Sequence, residues 1–441
     1  MNVAKQYHIC GRGSTEIAES LEAAIRENRL AAGARIPTVR ALAASLGVSL
    51  VTVATAYRTL RERGLLMTDG RRGTTVRGAP PLLGRPVLRF PEGVRNLADG
   101  NPDPALLPSL RKTLATRAYE PVLYGEEPEI PELLELAAKR FASAGVPWTA
   151  IAIVGGALDG IERVLAASLR PGDRVAVEDP AYPAYLDVLA ALGLVAEPVA
   201  IDGSGFVPAA LRAALESGVR AAIYAPRSQN PTGAAFDRER AAALHRVVAK
   251  RPEVLLVEDD HTAGIAGAPF FTLVADRAKF AVVRSVSKTL GPDLRLAFLS
   301  GDPMTVARVR SRQRVGTGWV SRMLQSAVLA LWSDPAVKEQ VERAREVYAQ
   351  RRDAFVRALA AEGIIVQARS GLNVWVPVVD EEAMVRSLLE AGWGVNPGSR
   401  FRIAGGPAIR VTIARLEPND AVELARAISA ASCPTAYART T

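Results

Sequence analysis

The chain has 441 residues, enough for two or three domains at ~150 residues each, with an ordinary globular balance of 49% hydrophobic and 23% charged residues. Its two cysteines, Cys10 and Cys433, exclude a disulfide framework, and charges or prolines interrupt every apolar run before ~18 residues, which excludes a membrane span. The net charge of +9 is uneven: residues 1–78 hold 12 Lys/Arg against 6 Asp/Glu, and the rest 43 against 40. A basic module on a nearly neutral body suggests a polyanion partner, though charge alone also fits solubility. No basic-then-apolar leader pattern opens the sequence, and a reducing, cytoplasmic setting is expected.

Residues 14–30 read as an amphipathic helix, with Ile17, Leu21, Ala24 and Ile25 on one face and Ser14 or Thr15 as cap. A short helix capped by Thr38 then runs to Leu46, Gly47 turns the chain, and Ser49 caps a second helix to about Arg63. Two helices joined by a short glycine turn form a helix-turn-helix, its core expected from Leu42, Val48, Val53, Ala56 and Leu60. Two β-prone runs around Asp69-Gly70 add a hairpin, so the unit reads as a winged helix. Ser49, Thr52 and Arg58 lie along the second helix, placed for a major groove. Arg40 starts the preceding helix, and Arg71 and Arg72 tip the hairpin toward phosphates or a minor groove. A wing used only for dimerisation is the alternative, which the basic excess disfavours.

This stretch resembles the GntR family of bacterial regulators over residues 12–78. Pro37, Arg40, Leu42, Ala43, Leu46 to Ser49, Thr52-Val53, Ala56-Tyr57, Leu60, Gly64 and Gly73-Thr74 carry the likeness. The expected order is a DNA-binding domain over 1–78, a Pro/Gly-rich linker over 79–94, and a second domain over 95–432 with a small C-terminal subdomain from about 320.

From residue 95 strand and helix periods alternate. Strand candidates are 151–154, 174–177, 195–201, 221–225, 254–257 and 280–283, and helices such as 156–169 and 237–248 lie between them. Such alternation predicts an α/β fold with a mainly parallel sheet covered on both faces. A long helix over 343–362 and shorter strands near 372–376 and 408–413 follow.

Ligands of such sheets sit at the carboxyl ends of strands. Lys288, just past one strand, follows Ser285 and Ser287 and precedes Arg295. That pattern suits a Schiff base with a phosphorylated aldehyde, while a surface lysine is the plain alternative. Gly155-Gly156-Ala157-Leu158 opens a helix whose amides could face the phosphate, though glycines kept for packing are the commoner explanation. Glu258-Asp259-Asp260-His261 offers a carboxylate for a protonated pyridine nitrogen, or else a helix cap; three histidines without a spaced ligand set leave a metal unexpected. Asn230 can donate to a phenolic oxygen, and Tyr182 could stack on a ring or simply belong to the core. Arg410, inside an apolar strand, needs an anion, from a substrate carboxylate or a structural acid.

The set resembles fold-type I pyridoxal-phosphate enzymes of the class I/II aminotransferase family over about 95–430. The resemblance implies pyridoxal 5′-phosphate as cofactor, with Lys288 as the Schiff-base lysine and Asp259 on the ring nitrogen. It places Asn230 at the phenolic oxygen, Tyr182 on the ring face, and Ala157, Leu158, Ser285 and Arg295 at the phosphate. Tyr124 would reach the partner subunit's phosphate, and Arg410 would take an α-carboxylate. The family's usual tyrosine two residues after the acid is here His261, which can donate the same bond.

A GntR-type winged helix ahead of such a domain resembles the MocR subfamily of bacterial regulators. That implies a head-to-tail homodimer bound to double-stranded DNA, with pyridoxal phosphate or its adduct with an amino compound as signal. A working aminotransferase with a DNA-binding appendage is the alternative, since Lys288 and Arg410 are both present.

Overall fold

The structure is a computed structural model that describes residues 9–27, 29–31, 33–62, 65–69, 73–76, 88–115 and 122–432. The hairpin arginines Arg71 and Arg72 and most of the expected linker lie outside the described residues.

The N-terminal unit holds α1 (Ser14–Arg26), α2 (Val39–Leu46), α3 (Leu50–Glu62) and the antiparallel strands β1 (Leu66–Asp69) and β2 (Gly73–Val76). Gly13, rather than Ser14 or Thr15, stands at the cap of α1, and the Glu16 carboxylate instead accepts the Arg12 amide at 2.9 Å. Thr38 caps α2 by accepting the Ala41 amide, a bond worth ~1 kcal/mol. Gly47 ends α2 at φ +67, a left-handed conformation that costs glycine little. Ile17, Leu21, Leu42, Val53, Ala56 and Leu60 are sealed in one core, whereas Val48 is only partly buried. Tyr57 donates to the Pro37 carbonyl at 2.7 Å and fixes α3 against the start of α2.

The second unit is built on an eight-stranded sheet. Its strands are β4 (Ala150–Val154), β5 (Arg174–Asp179), β6 (Val195–Asp202), β7 (Gly205–Phe206), β8 (Ala221–Tyr224), β9 (Leu255–Asp260), β10 (Phe280–Ser285) and β11 (Ala297–Gly301), preceded by the short β3 (Arg95–Asn96). The spatial order is β4-β11-β10-β9-β8-β5-β6-β7. β5, β8, β9 and β10 run parallel and read as continuous apolar runs because both faces are covered. The sheet is mixed, however: β11, absent from the sequence reading, is antiparallel to both β10 and β4.

The helices of this unit up to the end of the sheet are α4 (Leu110–Ala115), α5 (Pro131–Ala142), α6 (Ala157–Ser168), α7 (Pro183–Ala191), α8 (Pro208–Glu216), α9 (Arg238–Val248) and α10 (Pro303–Val315). α11 (Arg322–Ser333) and α12 (Pro335–Ala361) follow. The packing partner changes along α12. Val328, Leu331 and Val337 pack in the large core, while Ala344, Tyr348 and Phe355 pack in the small one. The small core is closed by β12 (Asn373–Pro377), α13 (Glu381–Glu390), β13 (Trp393–Gly394), β14 (Asn396–Pro397), β15 (Ala408–Thr412) and α14 (Pro418–Ser432), with β12-β15-β14 as its sheet. β3 pairs with β13 and brings Leu97 into this core. Among the described residues no helix is long and apolar enough to cross a membrane.

Candidate functional site

Alternation along β9 aims Asp259 to one face of the sheet and Asp260 to the other. Asp259 is buried, and Tyr185 donates to its Oδ2 at 2.5 Å. Its Oδ1 is buried without a hydrogen-bond partner. Burial raises the Asp259 pKa, while nearby His261 and the Tyr185 bond pull it down. His261 Nδ1 lies 3.7 Å from Asp259 Oδ2, and burial lowers the imidazole pKa, so the ring is neutral at pH 7.

Lys288 follows β10 by three residues. Its Nζ donates to the Gly100 carbonyl at 2.8 Å. Burial, together with the Arg410 guanidinium, lowers its pKa to about 8. Arg410, on β15, is buried; it donates to Asn230 Oδ1 at 3.2 Å and to the Ala98 carbonyl, and its guanidinium covers the Phe401 ring at 4.9 Å. Among the described residues no carboxylate pairs with it: the Arg410 Nε is buried without a partner, and burial lowers its pKa to about 10.

At the other end, Ala157 and Leu158 open α6 directly after Gly156, whose φ is +111. A Cβ on Gly156 would come 3.1 Å from Arg295 Nη2, so the guanidinium lies against the helix start. Arg295 itself holds a left-handed φ of +43. Ser285 Oγ donates to Ser287 Oγ at 3.0 Å and accepts the Ser287 amide. Asp159 takes the Gly155 amide at 2.9 Å and pairs with Arg163. The start of α6 and the Arg295 guanidinium thus lie together, and the register Ser285–Ala297–Val154 puts Ser285 at the same end of the sheet; these groups suit a phosphate.

Tyr182 meets Tyr185 edge-on, with ring centroids 5.4 Å apart. The backbone around it is stitched to the small subdomain. Asp179 accepts the amides of Ile403, Ala404 and Gly405 at 2.8, 2.9 and 3.1 Å, and the Ala181 amide donates to the Phe401 carbonyl. Tyr124 is apart from this group: it is 93% exposed and lies edge-on to Trp319. Tyr185, Phe401 and the Gly100 carbonyl are the members of the site that the sequence did not single out.

The chain matches the family described as aminotransferase class I and II over residues 92–428, and the bacterial regulatory proteins of the gntR family over residues 14–76.

It belongs to the class I and II aminotransferase family and carries a GntR-type domain ahead of that fold.

The vitamin B6 salvage pathway transcriptional repressor PtsJ of Salmonella typhimurium is 39% identical over 420 residues, which cover 95% of this chain and 98% of the relative. The HTH-type transcriptional regulator TauR of Rhodobacter capsulatus is 28% identical, covering 89% of this chain and 90% of its own. A kynurenine aminotransferase structure from Pyrococcus horikoshii superposes with a TM-score of 0.70 at 22% identity, covering 77% of this chain and 90% of that one. The family cofactor is pyridoxal 5′-phosphate, and the residues present fit it. The unpartnered Asp259 oxygen suits a protonated ring nitrogen, and the cradle around Gly156 suits the phosphate.

On the GntR-type domain, Arg40, Ser49 and Arg58 are exposed and Thr52 is half-buried. Ser49 caps α3, accepting the Thr52 amide at 3.0 Å, with its hydroxyl 2.8 Å from that of Thr52. Leu50 and Val51, 53% and 74% exposed at the start of α3, are further candidates for contact with thymine methyl groups. Their position off the apolar stripe was the sequence signal for them.

Proposed function

We propose that the chain is a transcription regulator that binds pyridoxal 5′-phosphate through Lys288 and reports the occupancy of that site to DNA. The observation that carries this reading is the joining, in one chain, of an exposed helix-turn-helix to a half-buried lysine and a buried acid, Lys288 and Asp259. PtsJ shares this whole length.

When bound, the cofactor supplies an aldehyde that takes up one amine at a time, that of Lys288 or that of an incoming amino compound. Asp259 keeps a proton on the ring nitrogen, with Tyr185 holding the carboxylate in place. Asn230 and neutral His261 face the phenolic oxygen, and Tyr182 covers the ring. Arg295, Ser285 and the amides of Ala157 and Leu158 hold the phosphate. Arg410 presents its free Nε to a carboxylate; burial and the Arg410 charge together lower the Lys288 pKa to about 8, so the amine is partly neutral at pH 7–8 and ready to bond.

Tyr124, exposed on its own chain, is assigned to the partner subunit's site in a head-to-tail homodimer. Paired winged helices then bind two half-sites on double-stranded DNA through Arg40, Ser49, Thr52, Arg58 and the hairpin Arg71 and Arg72. This reading implies a cytoplasmic protein. The relative's name concerns vitamin B6 salvage, which favours pyridoxal phosphate itself as signal over an amino-compound adduct. Joint presence of Lys288 and Arg410 supports a second reading, a working aminotransferase with a DNA-binding appendage.

The test is a mobility shift on the protein's own upstream DNA, with and without pyridoxal phosphate. Affinity is expected to change with the cofactor in wild type and not in Lys288→Ala. Equal responses in both proteins refute the sensing role. Sustained keto-acid production from an amino acid selects the enzyme.

A further inference from the structure

Asp260, the neighbour of Asp259 on β9, is fully buried on the opposite face of the sheet. It pairs with two arginines: Arg227 Nε and Arg284 Nε each lie 2.8 Å from its oxygens. One carboxylate therefore faces two guanidiniums. These form the floor of a cavity of about 470 Å³, within the ~300–1,000 Å³ range of small-molecule sites. Its mouth carries three more cations, Arg140, Lys338 and Arg345, against one acid, Glu342. The described structure leaves this positive excess unbalanced.

The walls are aromatic and already stack on guanidiniums. Arg284 lies between Phe141 and Phe270 at 5.0 and 5.1 Å, and Arg140 covers Trp332 at 4.2 Å. Trp332 is held flat by Phe298 behind it, with centroids 4.7 Å apart. The Arg140 guanidinium makes no hydrogen bond among the described residues and has that ring as its contact. Flat rings, fixed guanidiniums and spare positive charge together select a ligand that is itself flat and negative.

We propose that this cavity binds a small planar anion, an aromatic ring bearing one carboxylate or phosphate. It is distinct from the Lys288 site, since neither Lys288, Asp259, Arg295 nor Arg410 lines it, although Ser285 borders both. Asp259 and Asp260 are adjacent on β9, as are Ser285 and Arg284 on β10, and Arg284 pairs in register with Asp260. Occupancy here therefore bears on the strands that present Asp259 and Ser285; this coupling, unlike the binding itself, rests on the cofactor reading.

The test is calorimetric titration of the full-length protein whose cofactor has been fixed to Lys288 by borohydride, which closes the first site. The probes are pyridoxine 5′-phosphate, benzoate and inorganic phosphate. Lys288→Ala protein is titrated with benzoate in parallel, so that a failed cofactor reading leaves the measurement intact. Saturable binding of one ring probe, weakened at least tenfold by Arg140→Gln and by Trp332→Leu, is expected. The probe that binds tells a phosphorylated ring from an aromatic carboxylate. Absence of binding by all three probes overturns the proposal. So does inorganic phosphate binding as tightly as the ring probes, or affinity untouched by both substitutions.

Discussion

Tyr185 donates its phenolic proton to Asp259 across 2.5 Å, and both side chains are buried. The bond occupies one carboxylate oxygen and leaves the other free for a ring nitrogen. In Tyr185→Phe a bond that lowers the Asp259 pKa is lost, so the acid ionises less readily and holds a cationic nitrogen less well. A loss of ~1–2 kcal/mol, about tenfold in cofactor affinity, is expected from removing one hydrogen bond to a charged group. Absorbance titration with pyridoxal phosphate measures it, and an unchanged affinity removes Tyr185 from the site.

Lys288 has its pKa lowered to about 8 by burial and by Arg410. The neutral amine is the form that bonds, so the rate of colour development should rise with pH and level off above about 8. Arg410→Met takes away a neighbouring positive charge, and the charged amine then becomes easier to keep. The midpoint should move to higher pH. Stopped-flow absorbance across pH 6–10 reads both. Lys288→Ala should give no violet band at all while keeping its circular dichroism.

His261 is neutral at pH 7, because burial lowers its pKa from the ordinary value. As a neutral donor it would stabilise a deprotonated phenolic oxygen on the bound cofactor. His261→Phe should raise the pH of the cofactor's colour change by about one unit, the scale of one hydrogen bond. A titration curve that overlays wild type contradicts this placement.

Arg40 and Arg58 stand exposed on α2 and α3. Each is expected to neutralise one DNA phosphate. Alanine at either position should weaken operator binding and reduce the slope of log K against log salt by about one. Fluorescence anisotropy at several salt concentrations checks it; an unaltered slope places the arginine off the DNA.

The local parts of this architecture were legible in the sequence. Thr38 and Gly47 mark the limits of α2 by chemistry that needs no distant partner. The apolar runs at 221–225 and 280–283 announce strands buried on both faces. Lys288 and Asn230 follow strands, and Asp259 lies at the end of one, closely enough for their position to be read. What escaped depends on contacts far along the chain. Tyr185 is a helical tyrosine three residues from Tyr182, and only folding shows which of the two meets an acid 74 residues away. β11 was overlooked because Ala297–Gly301 follows the lysine motif at once and carries no turn signal of its own. The small subdomain borrows Leu97 and β3 from the front of its domain, a debt that no periodicity records.

Asp179, gripped by three consecutive amides from the far subdomain, ties two parts of the fold together. Tyr182 sits on one side of that strap and Arg410 belongs to the body on the other. The elements that carry Tyr182 and Arg410 are therefore fastened to each other by the same three hydrogen bonds.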